Sequence, residues 1–243
     1  MQGYTIRASC RFTFPMPRPP AEKASAGDVQ AFLQRARAIQ QFSAGRPRLV
    51  FAVDATASRQ PTWDLASELQ AGMFRASAEV ASLSVQLAYY RGIGELRFGA
   101  WQADGDALAK TMSHVHCAAG RTQIARLLRR ALKQQSECSA RALVFIGDAV
   151  EESAAQLEEL AGQCRMRSLP LFIFQEGADP DARRCFEAMA RISGGAFSPF
   201  DHASAQRLGE LLGAVARYAA GGRAALEHDR SAAARLLLEQ LGP

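Results

Sequence analysis

The sequence predicts one large α/β domain with a doubly wound, mostly parallel sheet, helices on both faces and one antiparallel edge strand. Three observations carry this prediction. Segments 47–54, 141–148 and 169–175 have apolar centres without alternation, which is typical of parallel strands covered on both faces. Helical patterns follow these segments, so strands and helices alternate along the chain. Segments 81–91 and 96–101 are separated by only a short turn, and strands joined so closely must be antiparallel.

The first 46 residues predict an extension in front of this domain. Residues 4–14 alternate apolar with polar side chains, which is the period of a half-buried strand. The stretch P-M-P-R-P-P at 15–20 ends that strand and is typical of a stiff linker. Asp28 then opens a helix whose apolar residues share one stripe. The strand has two candidate positions, on the exposed hairpin edge of this chain or on a partner chain.

The domain itself is expected to span residues 47–221. After the first strand, helices are predicted at 62–78, 105–112, 122–137, 151–165, 179–192 and 203–220, with a short last strand at 196–200. A C-terminal segment, 222–243, contains one amphipathic helix at 229–241.

Composition is that of an ordinary globular protein. Of 243 residues, 48% are hydrophobic and 22% charged. No apolar stretch reaches the ~18 residues that a membrane helix needs, and the first residues lack the apolar core of a secretory signal. The five cysteines are scattered and form no C-x-x-C pair, which favours reduced thiols. We therefore expect a cytoplasmic protein without a membrane segment.

The net charge of +5 does not by itself indicate nucleic-acid binding. Arginines cluster at 126–130 and 165–167, but a solvated helix face accounts for them. Aromatic residues are not interleaved with the basic ones, as binding of single strands would require. No nucleic-acid partner is expected.

Oxygen-bearing side chains follow the first buried strand in D-A-T-A-S, where they are Asp54, Thr56 and Ser58. Such a loop can hold a hard cation, activate a nucleophile or cap a helix. Open α/β sheets bind ligands beyond the carboxyl ends of their strands, where the strand order reverses. If the chain winds outward through the hairpin and then crosses back, Asp54 and Asp148 flank that point. A carboxylate is not expected at the end of a buried strand unless its charge is compensated.

Thr122 is a third contributor, at the predicted start of helix 122–137. Taken alone, it is better interpreted as an N-cap. Taken with the two aspartates, it stands where a further metal-facing hydroxyl would be wanted.

Together these pieces resemble the von Willebrand factor A domain family. Its metal-ion-dependent adhesion site has the pattern Asp-x-Ser-x-Ser, then a distant Thr, then a distant Asp. The matching positions here are Asp54, Thr56, Ser58, Thr122 and Asp148. The stretch R-I-S-G-G-A-F also resembles the small residues before the family's last strand, so the resemblance covers roughly residues 47–220.

Three positions depart from the family pattern. Thr56 replaces the usual Ser and keeps the oxygen, and Ala149 follows Asp148 where Gly is common. Arg121 precedes Thr122 where Gly is usual. Its guanidinium would either repel a cation or attract an acidic partner.

The resemblance implies a divalent-metal-dependent adaptor. Mg²⁺, with Mn²⁺ or Ca²⁺ as alternatives, suits a set of oxygen ligands with few carboxylates. In the family, hydroxyls bind the ion directly and at least one aspartate binds through water. The open position then takes a Glu or Asp carboxylate from a partner protein. The resemblance is to an intracellular, bacterial-type member of the family. Intracellular members often work as adaptors beside AAA+ ATPases or other chaperone-like machines, which implies a partner of that kind.

Two alternatives stay open, namely a metal-dependent hydrolase or phosphotransfer enzyme on a Rossmann-like sheet, and a scaffold with a vestigial metal site. Aspartate-nucleophile phosphatases need a second acid two positions on, where Thr56 stands. No nucleophile elbow, phosphate-binding loop or H-E-x-x-H pair occurs, so no enzyme is expected. His114, His116 and Cys117 indicate a polar loop rather than a zinc site. Glu151 and Glu152 suit the positive end of the helix predicted at 151–165.

Overall fold

The computed structural model describes residues 46–59, 83–200 and 205–241. Its strands are β1 (Arg48–Asp54), β2 (Ser84–Arg91), β3 (Glu95–Gln102), β4 (Ala142–Gly147), β5 (Leu171–Glu176) and β6 (Ala196–Phe200). Its helices are α1 (Gly105–Ser113), α2 (Ile124–Cys138), α3 (Ala154–Met166), α4 (Pro180–Ser193), α5 (Ala205–Glu227) and α6 (Ala232–Gln240). The strand and helix predicted in the N-terminal extension, and the helix predicted at 62–78, lie outside these ranges.

The six strands form one sheet in the order β3-β2-β1-β4-β5-β6. Only the β2–β3 pair is antiparallel, and every other neighbouring pair is parallel. The prediction of a mostly parallel sheet with one antiparallel edge strand is therefore confirmed. The order also reverses between β1 and β4, which is the crossover on which the predicted meeting of Asp54 and Asp148 depended.

Apolar side chains cover both faces of the sheet. Along β1, Leu49, Phe51 and Val53 point into one core and Val50 and Ala52 into the other. The first core is closed by α1, α5 and α6, and the second by α2, α3 and α4. Because β1 is buried on both sides, it shows no polar alternation, which explains its continuous apolar sequence.

The C-terminal part of the chain returns to the sheet. Helix α5 is interrupted at Gly222, whose positive φ of 68° is easily adopted only by glycine. Beyond it, α6 buries Ala233, Ala234 and Leu237 in the first core. The Gln240 side chain hydrogen-bonds the backbone nitrogen and oxygen of Phe197 at 2.8 and 2.9 Å. Gln240 thus pairs with the outer edge of β6.

None of the helices in the described part of the chain is long and apolar enough to cross a membrane.

Candidate metal centre

Two acidic residues stand at the carboxyl edge of the sheet where the strand order reverses. Asp54 is the last residue of β1, and Asp148 directly follows β4, its parallel neighbour. Val53 pairs with Ile146 in the parallel register, so Asp54 lies beside Gly147, the residue before Asp148, and a Cβ on Gly147 would lie 3.6 Å from the Cβ of Asp54. The structure thus places the two aspartates at the ends of neighbouring parallel strands.

Asp54 is enclosed and hydrogen-bonded through both carboxylate oxygens. Its side chain is fully buried. The backbone N–H of Thr56 donates to Oδ1 and the hydroxyl of Tyr90 donates to Oδ2, each at 2.8 Å. Burial raises the pKa of Asp54, while the hydrogen bonds from Thr56 and Tyr90 offset part of that rise. Two donors thus hold this carboxylate in one orientation.

Tyr90 was not identified from the sequence. It lies opposite Asp54 in the parallel register of β1 and β2 and is fully buried. Burial and then the neighbouring Asp54 raise its pKa well above the usual tyrosine value, so the phenol keeps its proton and acts as a donor. Its only signal in the sequence is a polar aromatic residue near the end of an apolar strand.

Thr56 and Ser58 lie side by side, with their hydroxyl oxygens 3.1 Å apart. Thr56 is buried and Ser58 is exposed, on the short 3-10 turn Ala57–Arg59. Thr56 also forms a parallel β-bridge with Ala118, and the Ala118 N–H donates to the carbonyl of Ala55 at 3.0 Å. These bonds fasten the loop after β1 to the loop that leads to Thr122.

Thr122 does not cap α2, so the N-cap interpretation is wrong. The helix begins at Ile124, and its N-cap is Gln123, whose side chain makes no capping hydrogen bond. The hydroxyl of Thr122 instead accepts the Glu151 N–H at 3.0 Å, and the Thr122 N–H donates to Glu151 Oε2 at 2.8 Å. This reciprocal pair joins the loop before α2 to the loop after β4.

The two glutamates after Asp148 act on a different helix from the one expected. Glu151 accepts from the Thr122 N–H, and Glu152 Oε1 accepts the Ala125 N–H in the first turn of α2 at 2.8 Å. The expectation that they serve the start of α3 is therefore wrong. The loop after β4 passes beside the N-terminal end of α2, whose free N–H groups are left uncapped by Gln123 and attract the carboxylates.

One oxygen of Asp148 lacks a partner. Oδ1 is buried and has no hydrogen-bond donor among the described residues, and the same holds for Oε2 of Glu152. A buried carboxylate oxygen without a donor or a cation is costly. The three hydroxyls and two aspartates are all hard oxygen donors, which is the set that Mg²⁺ prefers. The residues therefore fit a hard divalent cation.

Nitrogen and sulfur ligands do not add to this set. No group of three or more His, Cys, Asp or Glu suited to a metal occurs within residues 46–59, 83–200 and 205–241. His114 and His116 are exposed. Any cation at the sheet edge would therefore depend on hydroxyl oxygens as well as on the two aspartates.

A buried ion pair that was not predicted from the sequence anchors the loop after β1. Arg59 is 1% exposed. Its Nε lies 2.7 Å from Glu176 Oε2 at the end of β5, and its Nη1 donates to the Asp54 carbonyl at 2.8 Å. The loop after β1 is thus tied to a strand two places away. A lone arginine after D-A-T-A-S offers no signal of this contact, because its partner lies 117 residues later.

No family model and no curated protein sequence matches the chain. Solved structures do match. The VWA domain of SpRpn10 superimposes with a TM-score of 0.52 at 11% identity, over 64% of this chain and 88% of that one. The vWF domain of the type V pili tip protein Mfa5 from Porphyromonas gingivalis gives 0.54 at 8% identity, over 71% and 94%.

The human COPII-coat protein Sec24c also matches, with a TM-score of 0.54 at 8% identity over 70% of this chain. This chain spans 32% of the Sec24c chain. Identities this low carry the fold and no more. The six-stranded, doubly wound sheet of this protein has the fold of the von Willebrand factor A domain.

Proposed function

We propose that this protein is an adaptor that binds an acidic residue of a partner protein through a divalent cation at the carboxyl edge of its sheet. Mg²⁺ is the proposed ion, with Mn²⁺ or Ca²⁺ as alternatives. The cation would be held by the five residues Asp54, Thr56, Ser58, Thr122 and Asp148.

The observation that carries this proposal is the unpartnered, buried Oδ1 of Asp148. It belongs to the residue that follows β4, the strand next to β1, at the reversal of strand order. Burial of an uncompensated carboxylate oxygen is unfavourable, and a cation would remove that cost. The three hydroxyl residues of the set belong to the loops that border the same edge.

Each proposed ligand is prepared by contacts within the chain. The Thr56 N–H and the Tyr90 hydroxyl orient the Asp54 carboxylate. The Glu151 N–H occupies one lone pair of the Thr122 hydroxyl and leaves the other free. When bound, the cation would supply a positive charge only partly neutralised by two carboxylates, and hence an affinity for a third carboxylate from outside.

An enzymatic role is disfavoured by the same contacts. Asp54 is fully buried and both its oxygens accept hydrogen bonds, so it is poorly placed to attack a substrate. The hydroxyls of Thr56 and Ser58 face each other rather than a basic side chain. A nucleophile needs such a base within hydrogen-bond reach. We therefore favour binding over catalysis.

The proposed partner is a protein that presents a Glu or Asp side chain. An AAA+ ATPase in the cytoplasm of a bacterium is the kind of partner that the resemblance implies. The proposal requires only the exposed carboxylate.

Isothermal titration of Mg²⁺ and Mn²⁺ into chelator-stripped protein tests the proposal. Wild type is compared with Asp148→Ala and, as a matched control, with Glu227→Gln, which changes an exposed carboxylate at the end of α5. We expect one site in wild type and in the control, and loss of binding in Asp148→Ala.

The titrations are repeated with added acetate, which supplies a carboxylate for the open position. Absence of binding by wild type under both conditions would overturn the metal-dependent function and favour a scaffold with a vestigial site. Equal binding by wild type and Asp148→Ala would place the cation elsewhere.

A further inference from the structure

The turn between β2 and β3 presents an apolar side chain to solvent. Ile93 is 100% exposed, at the tip of the turn Gly92–Gly94. Among the described residues, the other large hydrophobic side chain with comparable exposure is Met166, at 87%. Turn tips ordinarily carry polar residues or glycine, and this turn carries an isoleucine instead.

The turn is held in place by its neighbours. The Gly92 N–H donates to the Ala118 carbonyl at 3.4 Å, and the Gln123 side chain donates to the Gly92 carbonyl at 3.3 Å. Arg126 donates to the Gly94 carbonyl at 2.6 Å. A side chain on a turn anchored in this way is already positioned, so the turn would lose little conformational freedom when a partner packs on it.

The same loop connects this turn to the candidate metal centre. Ala118, which accepts from Gly92, also bridges to Thr56. Gly120 passes so close to the turn that a Cβ there would lie 2.0 Å from the Gly92 oxygen. Thr122 follows two residues later. The turn and the proposed metal ligands therefore border one continuous surface at the carboxyl edge of the sheet.

Four arginines lie around Ile93. Arg97, Arg121 and Arg126 are exposed and Arg91 is half-buried. Glu95 faces two of them, with contacts of 2.8 Å to Arg91 and 3.3 Å to Arg97. Four more carboxylates lie at this edge. Glu151 and Glu152 accept backbone N–H groups of Thr122 and Ala125, and Asp54 and Asp148 are the proposed metal ligands. The four arginines do not outnumber these five carboxylates, so the excess of positive charge at this edge requires the proposed divalent cation in addition to the arginines.

We propose that these five residues, Ile93, Arg91, Arg97, Arg121 and Arg126, form a docking surface for an acidic protein segment, here called the Ile93 face. Acidic side chains of the segment would meet the arginines, and a large apolar side chain would pack on Ile93. One carboxylate of the segment would reach the metal, so the inference rests on the proposed function. It assigns to Arg121 the role of attracting an acidic partner.

A peptide selection tests this surface. A displayed library of random 12-residue peptides is selected on the immobilised full chain in Mg²⁺. Enriched peptides are then synthesised and titrated by fluorescence anisotropy. We expect sequences with several Asp or Glu residues and one large apolar residue.

Variants locate the binding surface. We expect Ile93→Ser to weaken peptide binding at least about tenfold, as loss of a central apolar anchor does. Arg121→Glu should also weaken peptide binding, and by a larger factor at low salt than at high salt, since the introduced charge repels the peptide. Met166→Ser and Arg207→Glu are the controls, because they change an exposed apolar and an exposed basic residue outside the face. Neither control should alter the affinity.

The outcomes separate the two proposals. If the selected peptides bind Asp148→Ala more weakly than wild type but bind Ile93→Ser as well as wild type, the metal function stands and the Ile93 face is overturned. Binding that depends on Ile93 but survives EDTA and Asp148→Ala would keep the face and overturn its link to the metal. If no acidic peptide is enriched, or if a mixed-sequence oligonucleotide binds the face in preference to the peptides, the proposal of the Ile93 face itself is overturned.

Discussion

The phenol of Tyr90 donates a 2.8 Å hydrogen bond to Oδ2 of Asp54, directly across the β1–β2 pair. Both residues are fully buried, so no solvent replaces this donor. The contact links a strand interior to the residue that anchors the candidate metal centre.

Replacing Tyr90 by Phe is expected to destabilise the protein by about 1–3 kcal/mol, because it leaves a buried carboxylate oxygen without its donor. Ring packing is retained, so the change reports on the hydroxyl alone. Urea unfolding in the presence of a chelator measures it. The control is Tyr89→Phe at the adjacent, half-buried position, which should change stability by less than about 0.5 kcal/mol. Equal stability of the two variants would contradict a structural role for the Tyr90 hydroxyl.

The protonation of Asp54 predicts a pH dependence of stability in the metal-free protein. Burial raises its pKa above the ordinary 3.8, the hydrogen bonds from Thr56 and Tyr90 oppose this, and the charge of Asp148 adds to it. For a carboxyl with a raised pKa, the stabilisation is complete below 3.8 and is lost as the pH rises through the raised value. Ionised Asp54 therefore lowers the stability of the metal-free folded protein at neutral pH.

We therefore expect Asp54→Asn to gain stability relative to wild type as the pH increases from the ordinary carboxyl value of 3.8 towards neutrality. Denaturant titrations at several pH values, with chelator present, measure the difference in the free energy of unfolding. The exposed Asp181, changed to Asn, serves as the control. A difference that stays constant or shrinks with rising pH would show that Asp54 does not carry the raised pKa.

The buried pair Arg59–Glu176 predicts a large and asymmetric effect of mutation. Arg59→Ala leaves the Glu176 carboxylate in the interior without the Arg59 guanidinium, which is expected to cost about 3–5 kcal/mol. The double variant Arg59→Met/Glu176→Leu should recover much of that loss, since it removes both charges and keeps volume. The Arg183–Glu187 pair is the exposed counterpart, and Arg183→Ala should cost at most about 1 kcal/mol.

Thermal and urea unfolding of these three variants measure the asymmetry. A double variant as unstable as Arg59→Ala would indicate that Arg59 acts mainly through its hydrogen bond to the Asp54 carbonyl.

The Gln240 side chain is expected to stabilise the edge strand β6 and to shield it from other strands. It satisfies the N–H and the C=O of Phe197, so Gln240→Ala is expected to cost about 1–2 kcal/mol. It would also leave part of the β6 edge unpaired, which favours association with another strand. Unfolding gives the first effect, and sedimentation velocity against concentration gives the second. The control is Glu239→Ala at the adjacent exposed position, which should change neither stability nor association. If Gln240→Ala has the stability and association state of wild type, the protective role of Gln240 is contradicted.

Hydrophobic patterning predicted the fold because it reports burial element by element. The unbroken apolar centres of β1, β4 and β5 required cover on both faces, and the two cores provide it. The short G-I-G-E turn required an antiparallel pair, which β2 and β3 form. These inferences use neighbours in sequence, and such local patterns are the part of a fold that a chain displays along its length.

Within the candidate site, the sequence predicted only the positions of the residues that stand at strand ends. Asp54 and Asp148 were predicted to meet because parallel strands place their carboxyl ends on one edge. The contacts that orient these residues were missed or misassigned. Tyr90 meets Asp54 through the register of two strands, Glu151 meets Thr122 across 29 residues, and Arg59 meets Glu176 across 117.

The amino-acid order alone established the layered architecture, the position of the antiparallel edge and the two aspartates at the crossover, since all three follow from periodicity and chain connectivity. Folding in three dimensions decided which polar side chains satisfy one another at that crossover. The reason is physical, because a hydrogen bond depends on distances of about 3 Å and on direction. Those are set by register and loop path, neither of which is written in any single stretch of sequence.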